Sequence, residues 1–388
     1  MILRGARVAR NADESARVDL TIAQGRIAFG RHAGCGPVLD LSGMLVLPGL
    51  INAHDHLEFN LFPRLGRGPY PNATAWAEDI YHPDRSPIRE HLQIPKPVRL
   101  FWGAIKNLVN GVTSVLHHNP YEPDVFGRGF PVRVIERFGW AHSLAFSADI
   151  EECYRRTPPG AAFIVHAAEG CDSEAKSEIA RLDARALIGP RTVIVHGVGL
   201  DAAGIAWMRH RGAALVWCPS SNRFLLGRSL TEEVLRSGIP IALGTDSALT
   251  AAGDLRDEVE TARQAVDLRT LYGMVTSGAA RILRLNSGAG AVSDGGAADL
   301  VVVRDRGQSP AEALLQIEPE LVLIGGEIKL VSCRMANHVN LPERQRFQAI
   351  GIEGRGRWLI DANLASLAQP VKDALGGSFR LAGKRVAV

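Results

Sequence analysis

Apolar positions along the chain fall into three textures. From residue 1 to 48 they come as short β-branched and aliphatic runs, at 2–8, 18–22 and 27–29, the last two separated by Gln24-Gly25-Arg26. Strands broken by a glycine turn are the pattern of hairpins. From about 49 to 288, short continuous apolar runs alternate with longer amphipathic stretches. The runs at 50–53, 113–116, 162–165, 192–195, 214–217 and 240–243 predict strands, and 173–187, 201–210 and 231–237 predict helices between the last four. Those four strands begin 22 to 30 residues apart. Strand, helix, strand at that spacing predicts βαβ units and a parallel sheet, and strands without polar alternation predict burial on both faces. A closed barrel and an open doubly wound sheet both satisfy this pattern. From 289 to 388 short strands return, clearest at 298–303 and 321–324, followed by an amphipathic stretch at 359–375 that predicts a helix and an extended segment at 379–381.

Composition narrows the class. The 388 residues are 46% hydrophobic and 22% charged, as in folded soluble domains rather than disordered chains. Lys and Arg number 44 against 41 Asp and Glu, for a net charge of +3. That balance predicts no nucleic-acid partner and no anionic membrane surface. No apolar run reaches the ~18 residues of a membrane span, and the first residues carry no apolar core of a signal peptide. The five cysteines (35, 153, 171, 218 and 333) are odd in number and scattered, with no CxxC. A reducing cytoplasm is the expected compartment.

Polar residues gather where the middle strands end. The run at 50–53 leads into His54-Asp55-His56, and i and i+2 of a strand share a face, so two imidazoles can grip one ion from one side. With 12 histidines in the chain, one HxH pair also arises easily by chance. The strand at 162–165 ends at His166, with Glu169 three residues on. The strand at 192–195 ends at His196, and 240–243 leads through Gly244-Thr245 to Asp246. In parallel α/β folds the active site lies at that carboxyl edge. His, His, His and Asp suit Zn²⁺ or Fe²⁺ with a position left for water, whose pKa such an ion lowers from 15.7 towards ~7. Glu169 on a continuing strand would face away from His166. It reaches the same cavity only if the chain turns just after His166, which Ala167, Ala168 and Gly170 permit.

Five segments in order, Leu47-Pro48-Gly49-Leu50-Ile51-Asn52-Ala53-His54-Asp55-His56, His166-Ala167-Ala168-Glu169, Val195-His196-Gly197, Cys218-Pro219-Ser220-Ser221-Asn222 and Gly244-Thr245-Asp246-Ser247, resemble the amidohydrolase superfamily. Within it the chain is similar to the cytosine, guanine and chlorotriazine deaminase or hydrolase group. The resemblance implies an α/β fold, a distorted (β/α)8 TIM barrel over residues 49–288, with 1–48 and 289–388 joined in a small composite β-sandwich. It implies one divalent ion, Zn²⁺ first and Fe²⁺ second, held by His54, His56, His166 and Asp246. It further implies that Asp246 takes a proton from the activated water, that Glu169 protonates the leaving nitrogen, and that His196 stabilises the developing oxyanion. Two-metal members of the superfamily bridge their ions with a mid-barrel lysine, and residues 119–165 contain no lysine. One ion per chain is the expectation.

The implied activity is hydrolysis of a C–N bond in a small molecule, first the deamination of a nitrogen heterocycle. Hydrolysis of a cyclic or linear amide is the alternative on the same site. A non-catalytic binder on the same scaffold is the alternative of another class, and a proton shuttle such as Glu169 argues against it. A homodimer is compatible with this reading. Substrate contacts are expected from His117 or His118, of which alternation turns only one inward, and from Asn222 and Arg223, the last suggesting an acidic substrate group. The aromatic- and proline-rich insert at 57–94 is expected to cap the site with Trp76 or Tyr81, or to form a subunit interface. About 48 residues separate His117 from His166, tight for two βα units, so one helix should be short or missing; strand candidates there are 132–135 and 142–147.

Overall fold

The structure is a computed structural model; it describes residues 1–388 apart from 31–35, 128, 252, 340 and 342. Cys35 therefore lies outside the described residues, and the other four cysteines are free thiols. Among the described residues no helix is long and apolar enough to cross a membrane.

The middle of the chain supplies eight parallel strands: β1 (Leu50–Asp55), β2 (Val112–His117), β3 (Arg133–Val134), β4 (Gly139–Ala141), β5 (Phe163–Ala167), β6 (Thr192–His196), β7 (Ala214–Trp217) and β8 (Ile241–Leu243). They form two ladders, β3-β2-β1 and β4-β5-β6-β7-β8, with every neighbouring pair parallel. The amide N–H groups of Thr245 and Asp246 donate to the His54 carbonyl, at 3.0 and 3.1 Å, and so bring the end of β8 against β1.

The elements follow from local chemistry. The helices Ser173–Ala184 and Ala202–Arg211 start where the Asp172 and Asp201 carboxylates accept from the amides of Ala175 and Gly204, and the second ends at Gly212 with φ +73°. Every residue of β5 to β8 is buried, and the face on which it packs alternates with period two. Phe163, Val165, Ile194, Leu215, Trp217 and Leu243 pack outward against Ile179 and Leu182 of one helix and Ile205 and Met208 of the other. Ile51, Ala53, Leu116, Ile164, Val193, Val195, Val216 and Ala242 pack together on the inner face.

The expected short connection is found between β3 and β4, where residues 135–138 alone intervene and no helix forms. Parallel neighbours need a crossover of about a dozen residues, so the ladder is broken at that point. The strand expected at 142–147 lies earlier, at Gly139–Ala141; residues 142–147 instead form a turn closed by Ser143 and Ser147.

Both chain ends share one sheet. Met44–Pro48 pairs antiparallel with Leu300–Arg304 and parallel with Arg7–Ala9. The same ten-stranded sheet continues through Leu321–Ile324, Glu327–Ser332, Gly356–Asp361 and Phe347–Ile352. A second sheet holds Ile2–Arg4, Leu20–Ala23, Arg26–Phe29 and Val38–Asp40. The helix expected from 359 begins later, at Leu364–Leu375, because 359–361 finish a strand paired with Glu327–Ser332. Gly49 passes the chain from this sheet into β1. A Cβ there would stand 2.1 Å from the Thr113 hydroxyl, so no other residue fits without movement.

Candidate active site

The carboxyl ends of β1, β2, β5, β6 and β8 converge on one buried cluster. His54 Nε2 is 3.3 Å from His166 Nε2 and 3.7 Å from Asp246 Oδ1; His56 Nε2 is 3.8 Å from the same oxygen. Donors 2.0–2.1 Å from a tetrahedral ion stand about 3.3 Å apart, so these pair distances suit a shared divalent ion. The converging donors form two groups joined at His54, one of His54, His56, His118 and His166, the other of His54, His196 and Asp246. Burial also keeps the rings neutral with lone pairs available: it lowers His54 to about 4, against the pull of Asp246, and holds His166 well below the usual histidine range.

Irregular backbone aims several of these groups. Ile51 and Ala53 face inward, so strict alternation would turn His54 and His56 away, but the β1–β2 register slips between Asn52 and Asp55. A slip of one residue exchanges the two faces of a strand. Val193 and Val195 likewise face inward, and His196 turns in through a left-handed φ of +76°. Asp246 is left-handed at +55° and Ala168 at +53°. Left-handed non-glycine residues are uncommon, and they concentrate at functional sites. The turn at Ala168 is the one that brings Glu169 round, and its amide donates to the Glu178 carboxylate at 2.7 Å.

Hydrogen bonds fix the orientation of each group. His166 Nδ1 donates to the His142 carbonyl at 2.8 Å, leaving Nε2 for the cluster. His56 Nδ1 is 3.3 Å from Asn119 Oδ1, and the Asn119 amide donates to Glu58 Oε1 at 2.5 Å. Asp246 Oδ2 accepts from Ser221 Oγ at 2.7 Å and Thr250 Oγ1 at 2.9 Å, and Oδ1 accepts from the Ser247 amide at 2.7 Å. Burial opposes the Asp246 charge, but its interaction with His54, and with His196 and His56, outweighs it and holds the carboxyl well below its usual range.

Behind β1, on the side away from the cluster, lies a buried polar scaffold. Asp55 Oδ2 is 2.7 Å from Lys106 Nζ and accepts from Asn107 at 2.8 Å, while Oδ1 accepts from Asn60 at 2.8 Å. Asn52 donates to Thr245 Oγ1 at 2.8 Å, which also ties β1 to the segment carrying Asp246. Nothing in local spacing marks Lys106, Asn60 or Asn107 as partners of Asp55; they lie in the insert and the helix Lys96–Leu108.

Glu169 Oε1 is 3.3 Å from His196 Nε2. Burial raises the Glu169 carboxyl well above its usual range, and the charges of Asp246 and Glu178 add to it. His196 Nδ1 donates to Asn222 Oδ1 at 2.7 Å, so Nε2 bears the lone pair facing Glu169. Asn222 Nδ2 is buried and has no partner, a donor free for a ligand.

The other expected contacts are divided. Successive residues at the end of β2 point oppositely: His118 faces inward among the rings of His54, His56 and His166, while His117 faces Glu58 and packs on Phe126. Arg223 lies away from the cavity. One helical step of about 100° beyond the buried Asn222 turns it to the exposed face, where it meets Gln264. Its position gives no support for an acidic substrate group. Two histidines carry more than the spacing suggested: His118, and His142, whose ring lies 4.8 Å from His166. A polar residue one or two places beyond a strand end is the only signal either offered.

The insert reaches the site through its middle. The Ala73 amide donates to the Glu169 carbonyl and the Cys171 amide to the Pro71 carbonyl. Asn72, Ala73 and Thr74 line a cavity of about 50 Å³ with His142, His166, Glu169 and Phe146. Trp76 packs beside this latch against Val198, Leu225 and Leu226, whereas Tyr81 is 71% exposed.

Residues 158–329 match the Amidohydrolase family. A 5-methylthioadenosine/S-adenosylhomocysteine deaminase from Syntrophobacter fumaroxidans is 27% identical over 340 residues, covering 68% of this chain and 73% of that protein. An 8-oxoguanine deaminase from Pseudomonas aeruginosa is 31% identical over 172 residues, 39% of this chain and 38% of that protein. Among solved structures, an adenosine deaminase from Xanthomonas campestris with bound zinc superposes with a TM-score of 0.68 at 20% identity, over 96% of this chain and 97% of that one. A zinc complex of an atrazine chlorohydrolase from Arthrobacter aurescens superposes with a TM-score of 0.66 at 17% identity, over 84% and 94%.

Proposed function

From the premise that this chain belongs to the amidohydrolase superfamily, we propose that it is a metal-dependent hydrolase that deaminates a small nitrogen heterocycle. The observation that carries the reading is the Glu169–His196 pair, 3.3 Å apart beside the ring cluster, with the carboxyl raised towards neutrality. A binding protein needs no such proton-bearing pair. The named activities of the relatives, deamination of adenine-containing compounds and of 8-oxoguanine, support the same class of substrate.

One divalent ion is assigned to His54, His56, His166 and Asp246. When bound it supplies Lewis acidity and lowers the pKa of water to near 7. The remaining work falls to the chain. Asp246, an ionised carboxylate, takes the proton of the attacking water. A C–O bond forms at the amino-bearing ring carbon as its C–N bond breaks. Glu169 gives its proton to the departing nitrogen, which leaves as ammonia, and the water proton held by Asp246 restores the balance.

His196 and Glu169 share one proton in this scheme. With Nδ1–H committed to Asn222, His196 donates to a developing oxyanion only when Nε2 has taken the proton of Glu169. Asn222 therefore positions His196 by fixing its tautomer, and its free Nδ2 is a donor to the substrate ring.

The test is ammonia release from a panel of amino-heterocycles, including adenine nucleosides and amino-purines, by metal-loaded protein. Glu169→Gln should keep its metal content and lose turnover by roughly 10²-fold or more. Near-normal turnover in that variant would remove Glu169 from the reaction.

A further inference from the structure

The ring cluster holds one more nitrogen than the four-ligand set uses. His118 stands just past the end of β2 and is wholly buried. Its Nε2 lies 3.1 Å from the Ala141 carbonyl. A carbonyl only accepts, so Nε2 carries the hydrogen and Nδ1 the lone pair. That Nδ1 is buried without a hydrogen-bond partner. One ring nitrogen from each of His54, His56, His118 and His166 lies within 4.8 Å of the other three. Opposed donors around an ion with 2.0–2.1 Å bonds stand about 4 Å apart, so a small inward movement places all four on one ion. The His118 ring also stacks on His166 at 4.3 Å and 24°, which restrains its plane beside a ligand.

His117 provides the contrast. It is equally buried, but its Nδ1 accepts from the Leu57 amide at 3.2 Å and its Nε2 faces Glu58 at 3.5 Å. Its Nε2 is also buried without a hydrogen-bond partner, but it faces only Glu58, and His117 belongs to neither group of converging donors.

Resting on the metal-dependent reading of the site, we propose that His118 is a fifth protein ligand of the divalent ion, binding through Nδ1. With His54, His56, His166 and Asp246 it leaves one open position on a six-coordinate ion. Such a sphere suits Fe²⁺ or Mn²⁺ better than Zn²⁺, which favours four ligands.

The experiment uses full-length protein stripped of metal and reloaded with Co²⁺. The visible spectrum and the Co²⁺ affinity, by chelator competition, are compared for the wild type, His118→Ala, His118→Asn and His166→Ala. The wild type should show the weak bands of a high-coordinate ion. His118→Ala should bind at least ~10-fold more weakly, with the stronger bands of lower coordination. His118→Asn, which returns an oxygen near the Nδ1 position, should recover part of both and covers the case in which alanine at 118 fails to fold. If His118→Ala keeps spectrum and affinity while His166→Ala loses both, His118 is no ligand and the four-ligand site stands. If the wild type takes up no ion, both readings fall together.

Discussion

The two halves of the parallel wall are built differently. From β5 to β8 the ladder is continuous, and each of β5, β6 and β7 is followed by helix before the next strand begins. That half delivers His166, Glu169, His196 and Asp246, each at or just beyond a strand end. From β1 to β4 the ladder slips twice, breaks once, includes a two-residue strand and carries the long insert. It delivers His54, His56, His118 and His142. In the regular half, local turns at Ala168, His196 and Asp246 aim the chemistry. In the irregular half, aim depends on a register slip, and the buried scaffold of Asp55, Lys106, Asn60 and Asn107 holds that slip in place. The proton chemistry resides in the first half, and half of the proposed four-ligand set in the second.

Breaking the scaffold should have the largest effect. Lys106→Met leaves Asp55 buried without its ammonium, and breaking a buried pair in this way costs about 3–5 kcal/mol. Urea unfolding should show that loss, and the weakened β1 should also bind metal less tightly. A loss under 1 kcal/mol would mean that the irregular half does not rely on this pair. Glu169→Gln strikes the regular half instead. Its folding should stay close to wild type while turnover falls by roughly 10²-fold or more, so stability and turnover variants separate by half.

A pH-dependent effect belongs to Glu258, on the helix Leu255–Ala262 that follows β8. Burial raises its carboxyl from an ordinary 4.5 to about 8, although the Ser220 amide and hydroxyl donate to it. Between those values the unfolded chain has lost a proton that the folded chain keeps. Stability from this group is therefore full below pH 4.5, declines as pH rises towards about 8, and is level above. Glu258→Gln removes the decline. Urea midpoints at pH 5, 6.5 and 8 should show the variant gaining on the wild type as pH rises; a constant difference would place the Glu258 pKa near its ordinary value. Arg223→Met should do least: exposed and facing Gln264, it should shift stability by less than about 0.5 kcal/mol and leave the Michaelis constant unchanged. A clear rise in that constant would return Arg223 to the substrate.

The same division explains what could be read from the chain. In the regular half the apolar runs at 192–195 and 214–217 match the strands within one residue, because strands buried on both faces leave an unbroken apolar record. The turn after His166 was legible because Glu169 could share its cavity in no other way. In the irregular half, the strand at 139–141 was displaced in the reading to 142–147. A three-residue strand has too little length to show a period, and the apolar Leu144, Ala145 and Phe146 just beyond it compete for the assignment. The helix expected from 359 shows the same limit: its first residues are apolar enough for either element, and pairing with Glu327–Ser332 makes them strand.

The chain by itself determined the alternation of strand and helix, the order of its polar strand ends, the residue types able to hold an ion, and that only one of His117 and His118 could face inward. These are local properties, set by burial and by the two-residue period of a strand. Only the tertiary structure decided that His54, His56 and His196 face inward. Alternation alone turns them away, and the register slip in β1 and the left-handed backbone at His196 reverse it. It also decided that Lys106 meets Asp55 and that His142 meets His166, contacts between residues 51 and 24 positions apart. Such pairings carry no local signature, because their stability comes from burying each group beside a partner that only the folded chain brings near.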